Sequence, residues 1–282
     1  QHGVPVIGDL RQFYHSVCLP AKYVNYFRFF WFMDPNDPSS PVVEFRLTRH
    51  LFGGVWSQSV CSHALDCAIS DAVNTKVITL KEAELIRLSL YSDDYARSFP
   101  TAHEARDSML KFVQFLEKSG FKLAKIATPD TQLFTSFPED IRAVNEVDEQ
   151  RPPDAATVLG VSWNLGSDTF QYNAPKADGK ITTKRELLSL VAGIFDPVGA
   201  IAFATTPGKL LVQLCFREGL RWDDTLPDHL QRNVDEWIEK LKALNATFPR
   251  RCTILAVEWP TLELHVFADA SQFVFAAIAF VR

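Results

Sequence analysis

The 282-residue chain is 47% hydrophobic, enough to bury the cores of about two domains, and no apolar run approaches the roughly 18 residues that a membrane-spanning helix needs. Its 29 Lys and Arg against 34 Asp and Glu leave a net charge of −5. That balance argues against a broad basic face for nucleic acid and confines such affinity to local groups: Lys176, Lys180, Lys184 and Arg185, and then Lys240, Lys242, Arg250 and Arg251. Cys18, Cys61, Cys67, Cys215 and Cys252 are odd in number and scattered, which excludes a disulfide framework. With no secretory pattern at the start, the expected compartment is intracellular, cytoplasm or nucleus.

In chain order, Val4-Pro-Val-Ile-Gly8 reads as a short strand that ends at Asp9 and is followed by Leu10-Arg-Gln-Phe-Tyr14. The aromatic segment Tyr26–Phe32 and the segment Val42–Thr48 read as a hairpin around the turn-rich Asp34-Pro-Asn-Asp-Pro-Ser-Ser-Pro41. A helix follows from Ser57 to about Asp71. Cys61, His63 and Cys67 fall within it, superficially a zinc pattern but without a fourth ligand, so the two cysteines read as buried thiols. Ile86-Arg-Leu-Ser-Leu90 alternates apolar with polar, the period of a strand, and Tyr95–Phe99 can return beside it. Thr101-x-x-Glu104 then opens a helix whose Ala105, Met109, Phe112, Val113 and Leu116 share one face, stopped by Gly120.

From 127 to 156 the chain is polar and carries Pro129, Pro138, Pro152 and Pro153, the composition of a linker. The next region reads as mostly helical. Leu230, Val234, Trp237, Ile238, Leu241 and Leu244 lie at helical spacing, and Pro249 is expected to end that element before two further strands.

The chemistry is concentrated in Tyr91-Ser-Asp-Asp94, which sets adjacent carboxylates at a hairpin tip, and in Asp9 at a strand end that can face it. Three such carboxylates can hold two Mg²⁺ ions roughly 3.5–4 Å apart, the spacing used in nucleotidyl transfer. Taken singly, Asp93-Asp94 reads as an ordinary turn and Asp9 as a solvated strand end.

These segments, in this order, resemble the reverse transcriptase of BEL/Pao long-terminal-repeat retrotransposons. The resemblance rests on Asp9-Leu-Arg-Gln-Phe-Tyr-His-Ser-Val, Tyr26-Phe-Arg-Phe-Phe-Trp, Phe45-Arg-Leu-Thr-Arg-His-Leu-Phe-Gly, Tyr91-Ser-Asp-Asp, Gly120-Phe-Lys-Leu-Ala-Lys and Leu159-Gly-Val-Ser-Trp. It continues through Thr183-Lys-Arg-Glu-Leu-Leu-Ser, Ile194-Phe-Asp-Pro-Val-Gly, Leu220-Arg-Trp-Asp-Asp and His265-Val-Phe-Ala-Asp-Ala-Ser.

It implies an α+β fold: a reverse-transcriptase palm over 1–126 with truncated fingers, the linker-like 127–156, a mostly helical thumb and connection over 157–252, and the first strands of a ribonuclease H-like domain over 253–282. The implied activity is an RNA-directed DNA polymerase acting on an RNA or DNA template-primer and deoxynucleoside triphosphates. Asp9, Asp93 and Asp94 would be its catalytic and metal-binding carboxylates, with two Mg²⁺ (or Mn²⁺) as cofactors. Tyr14 would be the aromatic gate against a 2′-hydroxyl, Phe52 and Gly53 would pack near base and sugar, and Lys125 would neutralise or protonate the departing pyrophosphate. Asp269 would be the first carboxylate of an incomplete ribonuclease H site.

Two stretches depart from the family pattern: Trp56-Ser57-Gln58, which puts an indole where small residues and a proline are usual, and Thr128-Pro129-Asp130. The alternative reading is a catalytically inactive relic of the same element, or an interaction module. No membrane contact is expected, and oligomeric state is left open.

Overall fold

The computed structural model describes residues 3–145, 153–158, 160–173, 179–197, 199–251 and 263–281. The chain divides into two compact units, over residues 2–154 and 155–282. Among the described residues no helix is long and apolar enough to cross a membrane.

The first unit is built on β1 (Val4–Leu10). Its next elements are the hairpin β2 (Arg28–Phe32) and β3 (Val42–Arg46), paired from Arg28↔Arg46 to Phe32↔Val42. Phe30 and Trp31 on that hairpin are exposed. Helix α1 runs from Ser57 to Asn74 and buries Cys61, Leu65, Ala68, Ile69 and Ala72, the face expected of an amphipathic helix. Of the two thiols of α1 expected to be buried, Cys61 is and Cys67 is exposed; elsewhere Cys215 is buried and Cys18 exposed, and Cys252 lies outside the described residues.

The strand expected over 86–90 is a correction. Helix α2 occupies Leu80–Leu88, opened by a complete capping box in which the Thr79 hydroxyl accepts from the Glu82 amide and the Glu82 carboxylate accepts from the Thr79 amide. Five alternating residues are too few to outweigh a helix already started upstream. Only β4 (Leu90–Tyr91) remains extended, pairing with β5 (Asp94–Phe99). Helix α3 (Ala102–Lys118) buries all five positions read from its periodicity, and β6 (Leu123–Ala127) completes an antiparallel sheet of order β4-β5-β1-β6. One face of that sheet and helices α1 and α3 share a core that includes Val6, Leu10, Phe13, Leu65, Ile69, Tyr95, Phe99, Phe112 and Leu116.

The segment expected to be a linker also differs. α4 (Thr131–Thr135) is capped by Asp130, whose Oδ1 accepts from the Leu133 amide at 2.9 Å. Leu133, Phe137 and Ile141 join the core of this unit, and the Arg142 guanidinium donates to the carbonyls of Phe137 and Thr135. Prolines and polar residues set its composition, yet a few large apolar side chains dock it. Residues 146–152 lie outside the described residues.

In the second unit β7 (Ala155–Val158), β8 (Val161–Asn164) and β9 (Thr169–Asn173) form a meander. Three helices follow: α5 (Lys184–Gly193), α6 (Ala202–Arg217) and α7 (Asp228–Lys242). Their core holds Leu187, Val191, Leu211, Cys215, Leu230, Val234, Trp237 and Leu241. The chain then returns as β10 (Asn245–Pro249), giving the order β10-β9-β8-β7. Pro249 therefore ends an edge strand and not the helix, which stops at Lys242; an edge strand tolerates a residue without an N–H. Finally β11 (Leu264–Ala270) and β12 (Phe275–Val281) pair as the hairpin expected there, with the Ser271 hydroxyl accepting from the amides of Phe273 and Val274.

Candidate active site

Asp9 and Asp94 are direct cross-strand partners in the β1–β5 ladder, and Asp93 occupies the two-residue tip between Tyr91 and Asp94. At that tip the left-handed φ falls on Ser92 (58°) and not on Asp93, the sign pattern of a type II′ hairpin turn. The Leu10 amide donates to the Asp93 carbonyl at 2.7 Å, tying the tip to β1. The three carboxylates named from the sequence are thus brought to one edge of the sheet by backbone pairing alone. Burial raises the Asp94 pKa above its ordinary value, and the neighbouring charges of Asp93 and Asp9 push it the same way, while Lys125 opposes them.

Lys125 reaches this edge through a bulge. Between the pairs Ile7↔Ala127 and Asp9↔Ala124 strand β6 carries one residue more than β1, and Lys125 lies within that excess with φ 52°. The distortion re-aims its side chain, and Nζ stands 3.3 Å from Asp9 Oδ2. Among the described residues no group of three or more His, Cys, Asp or Glu side chains is arranged to hold a metal ion. The expected metal ligands therefore converge without forming a closed cage, and the ammonium group of Lys125 supplies the positive charge beside Asp9. The donor set still suits a hard divalent cation: it offers carboxylate oxygens only, and one of the carboxylates is under like-charge pressure that a cation relieves.

Tyr14 begins a short 3₁₀ turn directly after β1, and its ring meets Phe52 edge-on at 4.7 Å and Phe13 at 5.4 Å. Phe52 is exposed. Gly53 has φ 85° with no atom within 4 Å of where a Cβ would stand, so backbone conformation and not close approach calls for glycine there. The two departures from the family pattern acquire local explanations. Trp56 turns toward Phe27, 6.3 Å away, and lines an apolar cavity of about 400 Å³ with Leu19, Tyr23, Tyr26 and His50. Asp130 is the cap of α4 already described. Gln58, which sequence reasoning treated only as a departure, touches both sides of the site: its Oε1 accepts from Tyr14 OH at 2.5 Å and from Ser92 Oγ at 3.1 Å. No periodicity or motif in the sequence pairs residues 34 and 44 positions apart in this way.

Asp269 lies on β11, exposed, opposite Ala276, with its Oδ1 accepting from the Ala270 amide at 2.8 Å. The basic groups read as possible phosphate contacts are largely engaged elsewhere. Lys184 is 4% exposed, donates to the Leu220 carbonyl, and lies over the rings of Phe216 (4.1 Å) and Trp222 (4.7 Å). Arg185 is bidentate on Asp223 at 2.7 and 2.9 Å, and Arg250 on Asp168 at 2.6 and 2.8 Å. Lys240 and Lys242 pair with Glu236 and Glu239. Lys176 lies outside the described residues. The Leu220-Arg-Trp-Asp-Asp segment thereby has a structural explanation: it is the receptor for Lys184 and Arg185.

A family model described as the Pao retrotransposon-like RNaseH-like domain matches residues 183–282. Residues 183–282 are of the Pao retrotransposon type. The match begins at the cap of α5, so it takes in the three helices and β10 as well as the β11–β12 hairpin. Among solved structures, the foamy viral protease-reverse transcriptase dRH in complex with double-stranded DNA is similar over 100% of this chain and 41% of its own, with a TM-score of 0.54 and 14% identity. The chain thus shares the fold of that reverse-transcriptase structure and spans about two fifths of its length. No curated protein matches it.

Proposed function

We propose that the first unit is the catalytic palm of an RNA-directed DNA polymerase, which extends a primer on an RNA or DNA template. The observation that carries this reading is the register Asp9↔Asp94 with Asp93 at the adjoining tip, since the pairing gathers carboxylates from distant parts of the chain onto one edge. When bound there by Asp9, Asp93 and Asp94, two Mg²⁺ or Mn²⁺ ions would activate the primer 3′-hydroxyl and offset charge on the leaving oxygen. Burial and the charges of Asp93 and Asp9 press Asp94 toward its neutral form, a pressure that a bound cation would relieve. The Tyr14 ring, held on Phe52, would oppose the sugar of a deoxynucleoside triphosphate and leave no room for a 2′-hydroxyl. Lys125 carries positive charge next to Asp9, suited to a departing pyrophosphate. Asp269 would contribute one carboxylate to a separate ribonuclease H site.

The test is primer extension on a homopolymer RNA template with Mg²⁺ and labelled deoxynucleotide, comparing the chain with Asp93→Asn. Extension that is lost in the variant supports the polymerase reading. Absence of extension from both favours the second reading, a folded but inactive retroelement relic, for which the closed ion pair of Asp9 with Lys125 and the engaged basic groups of the second unit speak.

A further inference from the structure

Gln58 is the second residue of α1, and three hydrogen bonds fix its side-chain amide. Nε2 donates to Ser62 Oγ one turn along the same helix at 3.1 Å, which leaves Oε1 facing the two hydroxyls of Tyr14 and Ser92. An amide oxygen has two lone pairs, so it can accept from both at once. Ser92 is the left-handed residue of the hairpin tip, one position before Asp93, and the half-buried Tyr14 ring, which packs on the core of the unit and meets Phe13 and the exposed Phe52, has its hydroxyl bonded to Gln58. Through a single atom Gln58 joins the ring that faces the sugar to the turn that carries the carboxylates. A proline at this position offers no side-chain acceptor and cannot make the connection.

We infer that Gln58 is a positioning residue: it latches the Tyr14 ring to the Ser92 tip and thereby sets how strictly the site rejects a ribonucleotide. The latch itself stands on the geometry; its consequence for sugar selection rests on the polymerase reading. A gate that worked by ring size alone would be indifferent to the phenolic hydroxyl, because phenylalanine has the same ring. A latched gate loses its restraint in Tyr14→Phe as in Gln58→Ala, and the double variant adds little, since both changes remove the same bond.

The experiment has two arms on the same proteins: parent, Gln58→Ala, Tyr14→Phe, the double variant, and Gln58→Glu, whose carboxylate still accepts from both hydroxyls. The first arm is hydrogen exchange at the Leu10 amide, which donates to the Asp93 carbonyl and reports on the tip without any need for activity. Exchange is expected to quicken about fivefold in Gln58→Ala, the factor that one net hydrogen bond is worth, and to return toward the parent rate in Gln58→Glu. The second arm is the ratio of kcat/KM for deoxy- over ribonucleoside triphosphate, expected to fall by about fivefold to tenfold in Gln58→Ala and in Tyr14→Phe, with Gln58→Glu near the parent. Unchanged exchange in Gln58→Ala overturns the latch whatever the enzyme does. Quickened exchange with an unchanged ratio overturns the role in sugar selection. Quickened exchange in a chain whose parent extends no primer supports the latch and refutes the polymerase reading.

Discussion

Two helical glycines of the second unit should respond to the same substitution with opposite signs. At Gly208, inside α6, an added Cβ would stand 2.4 Å from Trp237 Cζ2, 2.6 Å from Cη2 and 2.9 Å from Val191 Cγ2. The indole cannot easily retreat, because its Nε1 donates to the Ala204 carbonyl at 2.9 Å and its ring is buried in the α5–α7 core. Alanine in a helix interior gains about 1 kcal/mol over glycine. Overpacking a filled core costs about 1–3 kcal/mol, and contacts this short belong at the upper end; displacing the indole forfeits about 1 kcal/mol more with its hydrogen bond. Gly208→Ala is therefore expected to destabilise the unit by about 2–3 kcal/mol. Gly193, at the end of α5, has nothing within 4 Å of the added carbon and no left-handed backbone, so Gly193→Ala should stabilise by about 0.4–1 kcal/mol. Urea unfolding followed by far-UV circular dichroism, resolved into two transitions where the units melt separately, reads both. A Gly208→Ala protein as stable as its parent would show that Trp237 does not pack on the α6 backbone at this point.

Other outcomes follow from the charges. Because the Asp94 pKa is raised on folding, its contribution favours the folded state below the ordinary carboxylate value of 3.8 and is lost as pH rises through the folded value. Asp94→Asn should flatten that decline and, by removing a like-charged cross-strand partner of Asp9, add about 0.2–1 kcal/mol at neutral pH; a pH series of melting curves that stays parallel to the parent's would refute this. Mg²⁺ should raise the melting temperature of the first unit in the parent and not in Asp9→Asn, with about 2.7 kcal/mol expected at a hundredfold excess over Kd. Lys184→Ala leaves the Leu220 carbonyl without its ammonium donor and opens a gap between Phe216 and Trp222, so it should cost about 2–4 kcal/mol in chemical unfolding.

Several local features were legible before the fold. The stripe Ala105, Met109, Phe112, Val113 and Leu116 and the stripe Leu230, Val234, Trp237, Ile238 and Leu241 are both buried faces of helices, because helical neighbours lie three and four residues apart and a short window contains all of them. The tip at Ser92-Asp93 and the hairpin Arg28–Phe32 with Val42–Arg46 were also readable, since turn residues act over a few positions. The alternation over Ile86–Leu90 suggests a strand where the last turn of α2 lies, although the helix's own signal, Thr79-x-x-Glu82, is in plain view. Local composition likewise hid the docking of residues 131–141, where three large side chains outweigh the prolines around them.

What the sequence determined by itself was the inventory: which segments can be helix or strand, and which carboxylates sit at strand ends and turns. Only the tertiary structure decided that Asp9 faces Asp94 across 85 positions of chain, and that one extra residue in β6 turns Lys125 onto Asp9. It also decided that Gln58 bonds both Tyr14 and Ser92, and that Lys184 is buried under two rings instead of facing solvent. The physical reason is one of range. Periodicity and capping record interactions within a turn or two, whereas register, bulges and side-chain bridges are fixed by the packing of a whole sheet against its helices, where a shift of one residue would send every side chain of a strand to the opposite face.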